Sequence, residues 1–194
     1  MANALFIIDV QNDFCEGGAL ACQGGAAVAS KITSFVNDNP SRYDFVIASR
    51  DWHTPGEENG GHFPPEGQEP DFVNTWPLHC LAGDEGADYH PNLDTSIIDV
   101  HIKKGQGAHG YSIFEGTTDR GEKLTDLLSR LDIDEVDVVG IATDYCVRAS
   151  SLDAVSAGLA VKVITSLTAG VAAESTEAAI DDMADSGVEV LATP

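Results

Sequence analysis

The feature that most constrains this chain is a repeated switch between short β-branched runs and helical stretches. The runs lie at residues 5–9 (LFIID), 45–49 (FVIAS), 97–104 (IIDVHIKK), 136–141 (VDVVGI), 161–165 (VKVIT) and 188–191 (VEVL). Several are apolar on both faces, as strands are when helices cover a parallel sheet from both sides. Between them, helical patterning predicts helices over 25–37, 122–130, 146–157 and 174–186. Such alternation predicts an α/β fold, a three-layer α/β/α sandwich on a mostly parallel sheet of about six strands. A length of 194 residues suits one domain over 1–194.

Residues 51–96 break the rhythm. They are rich in Gly, Pro, His and Trp and show little periodicity. So long an irregular stretch inside a compact domain is usually functional. Its aromatics (Phe63, Phe72, Trp76) and its histidines argue against a disordered insertion.

Composition excludes several classes of partner. With 32 acidic and 10 basic residues the net charge is -22, which repels nucleic-acid backbones and anionic membranes. That surface serves solubility or is an adaptation to high salt, which screens self-repulsion. No apolar run is long enough to span a bilayer. The start, MANALFIIDVQND, lacks the basic n-region of a signal peptide, so a cytoplasmic location is expected. Free thiols are then the default for Cys15, Cys22, Cys80 and Cys146.

In open parallel sheets, ligands bind beyond the carboxyl ends of the strands. The polar residues at those ends are Asp9, Asp51, Lys104 and Cys146. A carboxylate, a lysine and a cysteine at one edge form a nucleophile-activating set. Lys104 shares a strand face with Ile98, Val100 and Ile102, so its charge needs a partner, whereas Lys103 falls on the polar face. A thiol at a helix start, as expected for Cys146, faces free N–H groups that favour thiolate and can hold an oxyanion. Each residue also has a plainer role open to it: Cys146 as a core residue, Asp9 as a turn cap, Lys104 as a charge at a strand end. Asp51, His53, His62 and His79 form a candidate metal set, and one carboxylate with three imidazoles suits Zn, Fe or Mn better than Ca or Mg. Polar loop histidines are the alternative. Cys80, beside His79, could substitute for a ligand. Cys15 and Cys22 read as structural, and His90, His101 and His109 as surface or hydrogen-bonded residues.

Five segments taken together resemble a known family. They are DVQNDFC (9–15), RDWH (50–53), WPLHC (76–80), KG (104–105) and GIATDYCV (140–147), with LTAGV (167–171) also fitting. The resemblance is to the bacterial nicotinamidase/pyrazinamidases, among the isochorismatase-like cysteine hydrolases. It implies a catalytic triad of Asp9, Lys104 and Cys146, and one divalent transition metal ion on Asp51, His53, His62 and His79. It implies a cis Ile141–Ala142 peptide and an oxyanion hole from Ala142 and Cys146. It also implies a substrate pocket of Phe14, Leu20, Trp76, Tyr111, Ile141 and Tyr145. For Leu20 core packing is the competing role. The implied activity is hydrolysis of nicotinamide, and of pyrazinamide, to the acid and ammonia through a cysteine thioester, in NAD salvage. The implied partner is a small-molecule amide, with monomer and homo-oligomer both open. Two departures stand out: a long TPGEENGG loop between His53 and His62, and Tyr145 where some relatives carry histidine.

Three rival readings remain open to the sequence. Metal-free relatives hydrolyse isochorismate, N-carbamoyl compounds or ureidoacrylate. The metal alone could carry the chemistry. A metal-storing or interaction module would release no ammonia.

Overall fold

A computed structural model describes residues 2–194. Seven strands form one sheet: β1 (Ala2–Ile8), β2 (Phe45–Asp51), β3 (Val100–Lys104), β4 (Thr117–Thr118), β5 (Ile133–Ile141), β6 (Ala160–Ala169) and β7 (Glu189–Leu191). Their order is β4-β3-β2-β1-β5-β6-β7. Every pairing is parallel except β3 with β4. The expected count of about six omits β4, which at two residues has no periodicity to read.

Four helices cover the sheet: α1 (Gly25–Asp38), α2 (Leu124–Arg130), α3 (Arg148–Ser156) and α4 (Ala173–Asp185). The central strand β1 is buried on both sides. Leu5 and Ile7 pack with Val28, Ala29, Ile32 and Phe35 of α1. Ala4, Phe6 and Ile8 pack with Leu124, Leu127 and Leu128 of α2, Ala154 of α3 and Met183 of α4. The side-chain period of two divides one strand between two cores, which is why the sheet must be covered on both faces. Parts of the irregular segment, including Cys80, Ala87 and Leu93, join α1 on its side.

Two boundaries differ from expectation in ways that bear on function. β3 begins at Val100 and not at 97, because the Asp94 carboxylate accepts from Ser96 N at 2.9 Å and caps a short 3₁₀ turn at Thr95–Ile97. The α-helix expected over 146–157 begins only at Arg148. Before it, Thr143–Val147 forms a wider π-type turn in which Val147 N donates to Ala142 O at 3.1 Å.

The chain builds β2, β3 and β4 to one side of β1, then β5, β6 and β7 to the other. The order therefore reverses between β1 and β5, and ligand crevices form at the carboxyl end of such a switch. Ile8 is in register with Gly140, and Asp51 with Lys104, so Asp9, Asp51, Lys104 and the turn after β5 reach one edge. No helix among the described residues is long and apolar enough to cross a membrane.

Candidate active site

Lys104 is fully buried, on the face the strand alternation assigned to it. Its Nζ lies 2.7 Å from Asp9 Oδ2 and 3.7 Å from Cys146 Sγ, and it also pairs with Asp51 Oδ1 and donates to Gly110 O. Lys103 instead points outward, pairing with Asp119 and lying over the Trp52 ring. One carboxylate oxygen from each of Asp9 and Asp51 and the Cys146 sulfur all lie within 4.8 Å of one another.

The two oxygens of Asp9 differ. Oδ1 accepts from Ser49 Oγ at 2.7 Å, while Oδ2 is buried beside the ammonium without a well-aligned hydrogen bond. Burial pushes the Asp9 carboxyl up to about 6; Lys104 pulls against this and Asp51 adds to it. Burial would also raise Asp51, but Lys104 and the neighbouring histidines outweigh it and hold Asp51 below the ordinary carboxylate range. Burial holds the Cys146 thiol well above its usual value, with Lys104 opposing. The thiolate expected from a helix start is therefore not the resting form. One ammonium is shared by two carboxylates, and a third anion in the same buried space has no further cation to face.

Next to this group lie His53, His62 and His79, each with a ring nitrogen in a common cluster and all at most 3% exposed. His62 Nε2 and His79 Nε2 are 3.3 Å apart. Asp51 Oδ2 lies 3.6 Å from His53 Nε2 and 3.9 Å from His79 Nε2. His53 Nε2 is buried without a hydrogen-bond partner. Burial, then the adjoining imidazoles, push His62 down to about 3, so its ring is neutral and keeps a lone pair. Converging lone pairs, an orphaned buried nitrogen and a carboxylate fit a divalent transition metal ion. Asp51 faces both centres, one oxygen toward Lys104 and the other toward the histidines.

A cavity of about 310 Å³ opens over the cysteine. Phe14, Leu20, Trp76, Tyr111, Ala142, Tyr145 and Cys146 line it, with Asp51, His62 and His79 at the cluster. Trp76 Nε1 donates to Tyr111 OH at 2.8 Å, and the Trp76 ring meets Tyr145 edge-on at 5.3 Å. Ile141 does not reach the cavity. It is fully buried in the α1-side core, one residue behind Ala142. The Ile141–Ala142 peptide is cis, as the resemblance implied. Cys80 stays out of the cluster; its N–H donates to Asp13 Oδ2 at 2.7 Å and its sulfur faces Gly86 O at 3.9 Å. His90 accepts from Asn92 N, and His101 meets Tyr89 OH.

Several contributors were not assigned a place in the site by the sequence. Ser49 orients Asp9. Gln11 donates from Nε2 to Asp51 O and accepts from Asp51 N, each within 2.9 Å, which anchors the end of β2. Cys22, Phe72 and Val171 also line the cavity. His109 lies against His62. Gly105 must be glycine: at φ +81° its carbonyl meets His53 Nδ1 at 2.9 Å, and a Cβ there would lie 2.6 Å from the His53 ring.

Comparison with known proteins points the same way. The Isochorismatase domain profile matches residues 3–194. The nicotinamidase/pyrazinamidase of Mycobacterium tuberculosis is 47% identical over 97% of this chain and 97% of its own length. A crystal structure of an L. infantum protein in complex with nicotinate superposes with a TM-score of 0.80 at 32% identity, covering 98% of this chain and 92% of that one. The pyrazinamidase of Pyrococcus horikoshii in complex with zinc gives 0.79 at 30% identity, covering 98% and 99%. With its fold, its edge of acid, lysine and thiol, and this match over nearly its whole length, the chain belongs to the isochorismatase-domain family.

Proposed function

We propose that this chain is a nicotinamidase: an amidohydrolase that converts nicotinamide, and pyrazinamide, to the acid and ammonia as a step of NAD salvage. The observation that carries the reading is Lys104 Nζ, 2.7 Å from Asp9 and 3.7 Å from the sulfur of Cys146, which lines an aromatic-walled cavity. Similarity to proteins named nicotinamidase and to a nicotinate complex supports the substrate class. Residues 1–194 act as one hydrolase domain, and the segment over 51–96 supplies all four metal ligands.

In this mechanism Asp9 Oδ2 takes the proton from Cys146 as Sγ attacks the carboxamide carbon. Lys104 holds both carboxylates and offsets the charge that builds on sulfur. The backbone N–H groups of Ala142 and Cys146 receive the carbonyl oxygen as it becomes an oxyanion, each such contact contributing roughly 3 kcal/mol. Asp9 returns its proton to the leaving nitrogen, the C–N bond breaks, and ammonia departs from a thioester on Cys146. Water then attacks the thioester, with Asp9 taking its proton and delivering it to sulfur, and nicotinate leaves. Trp76, Tyr111 and Tyr145 hold the ring. Asp51, His53, His62 and His79 would hold one Zn, Fe or Mn ion, which when bound offers a Lewis-acid contact for the pyridine nitrogen and for water.

An ammonia-release assay tests this. Native protein is expected to release ammonia from nicotinamide, and much more slowly from benzamide, which lacks the ring nitrogen. No ammonia from either amide under metal-replete conditions would refute the assignment.

A further inference from the structure

An imidazole can ligate a metal only through a nitrogen that carries its lone pair. All three clustered histidines turn Nε2 inward, so each must carry its proton on Nδ1. For two of them a backbone carbonyl enforces that state. His53 Nδ1 lies 2.9 Å from Gly105 O, and His79 Nδ1 lies 2.7 Å from Pro77 O. A carbonyl only accepts, so the proton must sit on Nδ1. His62 has another ring in that place: its Nδ1 faces His109 Nδ1 at 3.4 Å.

We infer that His109 is a positioning residue of the metal site, accepting the Nδ1–H of His62 and thereby aiming His62 Nε2 into the cluster. This rests on the reading of the cluster as a metal site. The arrangement is built, not incidental. The His109 ring stacks on Tyr111 with centroids 6.1 Å apart and planes 22° apart, and meets His62 edge-on at 5.4 Å. Tyr111 is itself held by Trp76 Nε1.

The two loops that carry the histidines are tied together by Asn59, which is 1% exposed. Its Oδ1 accepts from Thr54 N at 2.9 Å and from Gly107 N at 3.0 Å, while its Nδ2 donates to Thr54 O and Glu57 O. Asn59 O in turn accepts from His62 N at 3.2 Å. One glycine-rich loop over 105–110 thus supports three groups: Gly105 O orients His53, His109 orients His62, and Gly110 O receives Lys104. A ring acceptor also differs from a carbonyl in being replaceable, which makes His109 the testable member of the three. Partners of this kind typically change metal affinity about 10–100-fold when removed.

The test is zinc affinity, measured by competition with a chromogenic chelator on native protein, His109→Phe and His109→Asn. Phe keeps a ring for the Tyr111 stack but offers no acceptor; Asn restores an acceptor oxygen. His109→Phe is expected to weaken zinc binding about 10–100-fold, with His109→Asn recovering part of the loss. Equal affinity of native and His109→Phe, or an Asn variant as weak as Phe, would overturn the inference while leaving the metal site intact. Failure of native protein to bind zinc would overturn the site reading and this inference together. Nitrogen-15 NMR of chelated native protein is independent of any variant. It should show His62 protonated on Nδ1, and a proton on Nε2 would contradict the assignment.

Discussion

Lys104 is the residue on which the other charges depend. It is fully buried, and so are the two carboxylates it serves, Asp9 at 0% and Asp51 at 3% exposure. Removing one partner of a buried ion pair leaves an uncompensated charge, at a cost of about 3–5 kcal/mol. Lys104→Met should therefore lower the unfolding free energy of the chelated protein, read from urea melts, by that order, and a loss below about 1 kcal/mol would contradict the buried pairing. Asp9 sets the pH dependence. Burial pushes its carboxyl up from an ordinary 3.8 to about 6, so the folded state binds this proton more tightly than the unfolded chain does. Its protonation favours the fold at pH below about 3.8, a contribution lost as pH rises through about 6. Activity runs the other way, because only the ionised carboxylate accepts the thiol proton. kcat/KM for nicotinamide should rise with pH through about 6, and a profile flat across that range would exclude Asp9 as the base. At this scale the sequence was informative where a period applied. Alternation along one strand separated Lys104 from Lys103, and strand ends located Asp9 and Asp51. It read His109 only as a surface or hydrogen-bonded residue and was silent on Ser49. Nothing in the chain near His109 marks which ring it will meet, and the Ser49–Asp9 bond exists only once β2 lies beside β1.

Among the elements, the turn after β5 matters most. Its π-type geometry turns Tyr145 toward the cavity and Cys146 toward Lys104. The same turn grips the start of α4. Asp144 accepts from Val171 N at 3.0 Å, Ala172 N at 3.4 Å and Ser175 Oγ at 2.5 Å. This bonding spans from the nucleophile turn to Val171 on the cavity wall. Asp144→Ala should cost about 1 kcal/mol of stability by urea melt, small because the bonds are solvent-exposed, and should raise KM for nicotinamide more than it lowers kcat. An unchanged KM would separate this clamp from the cavity. Helix and strand types were legible from periodicity, whereas both shifted boundaries follow from hydrogen bonds that periodicity does not encode. Asp94 caps the turn before β3, and Ala142 O receives two N–H groups ahead of α3. Ile141 shows the same limit from the other side: Ala142 beside it lines the cavity, but strand alternation carries the Ile141 side chain into the core.

For the molecule as a whole, two charge distributions coexist. In the buried site one ammonium serves two carboxylates, while the chain as a whole carries a net charge of -22. Self-repulsion of that surface opposes the compact state and is screened once the Debye length falls to about 3 Å near 1 M salt. The urea midpoint should rise from low to high KCl, and a midpoint unchanged or lowered by salt would show that the acidic surface carries no folding penalty. The architecture was legible because a doubly covered parallel sheet imprints apolar runs on its sequence, and the switch between β1 and β5 then draws distant residues to one edge. The histidine cluster was legible only as a set of residue types. Its convergence depends on Asn59, Gly105 and Trp76 folding the long segment over β2 and β3, and no local pattern announces those contacts.

The central claim is that the Cys146 sulfur is the covalent nucleophile for an amide held in the cavity above it. Ammonia release from nicotinamide by metal-loaded Cys146→Ala, measured beside native protein of equal zinc content and equal urea midpoint, tests that claim most directly. Turnover should fall by on the order of 10⁶-fold, to the assay background. A Cys146→Ala protein that still releases ammonia at a rate comparable to native would move the chemistry off the thiol and contradict the account.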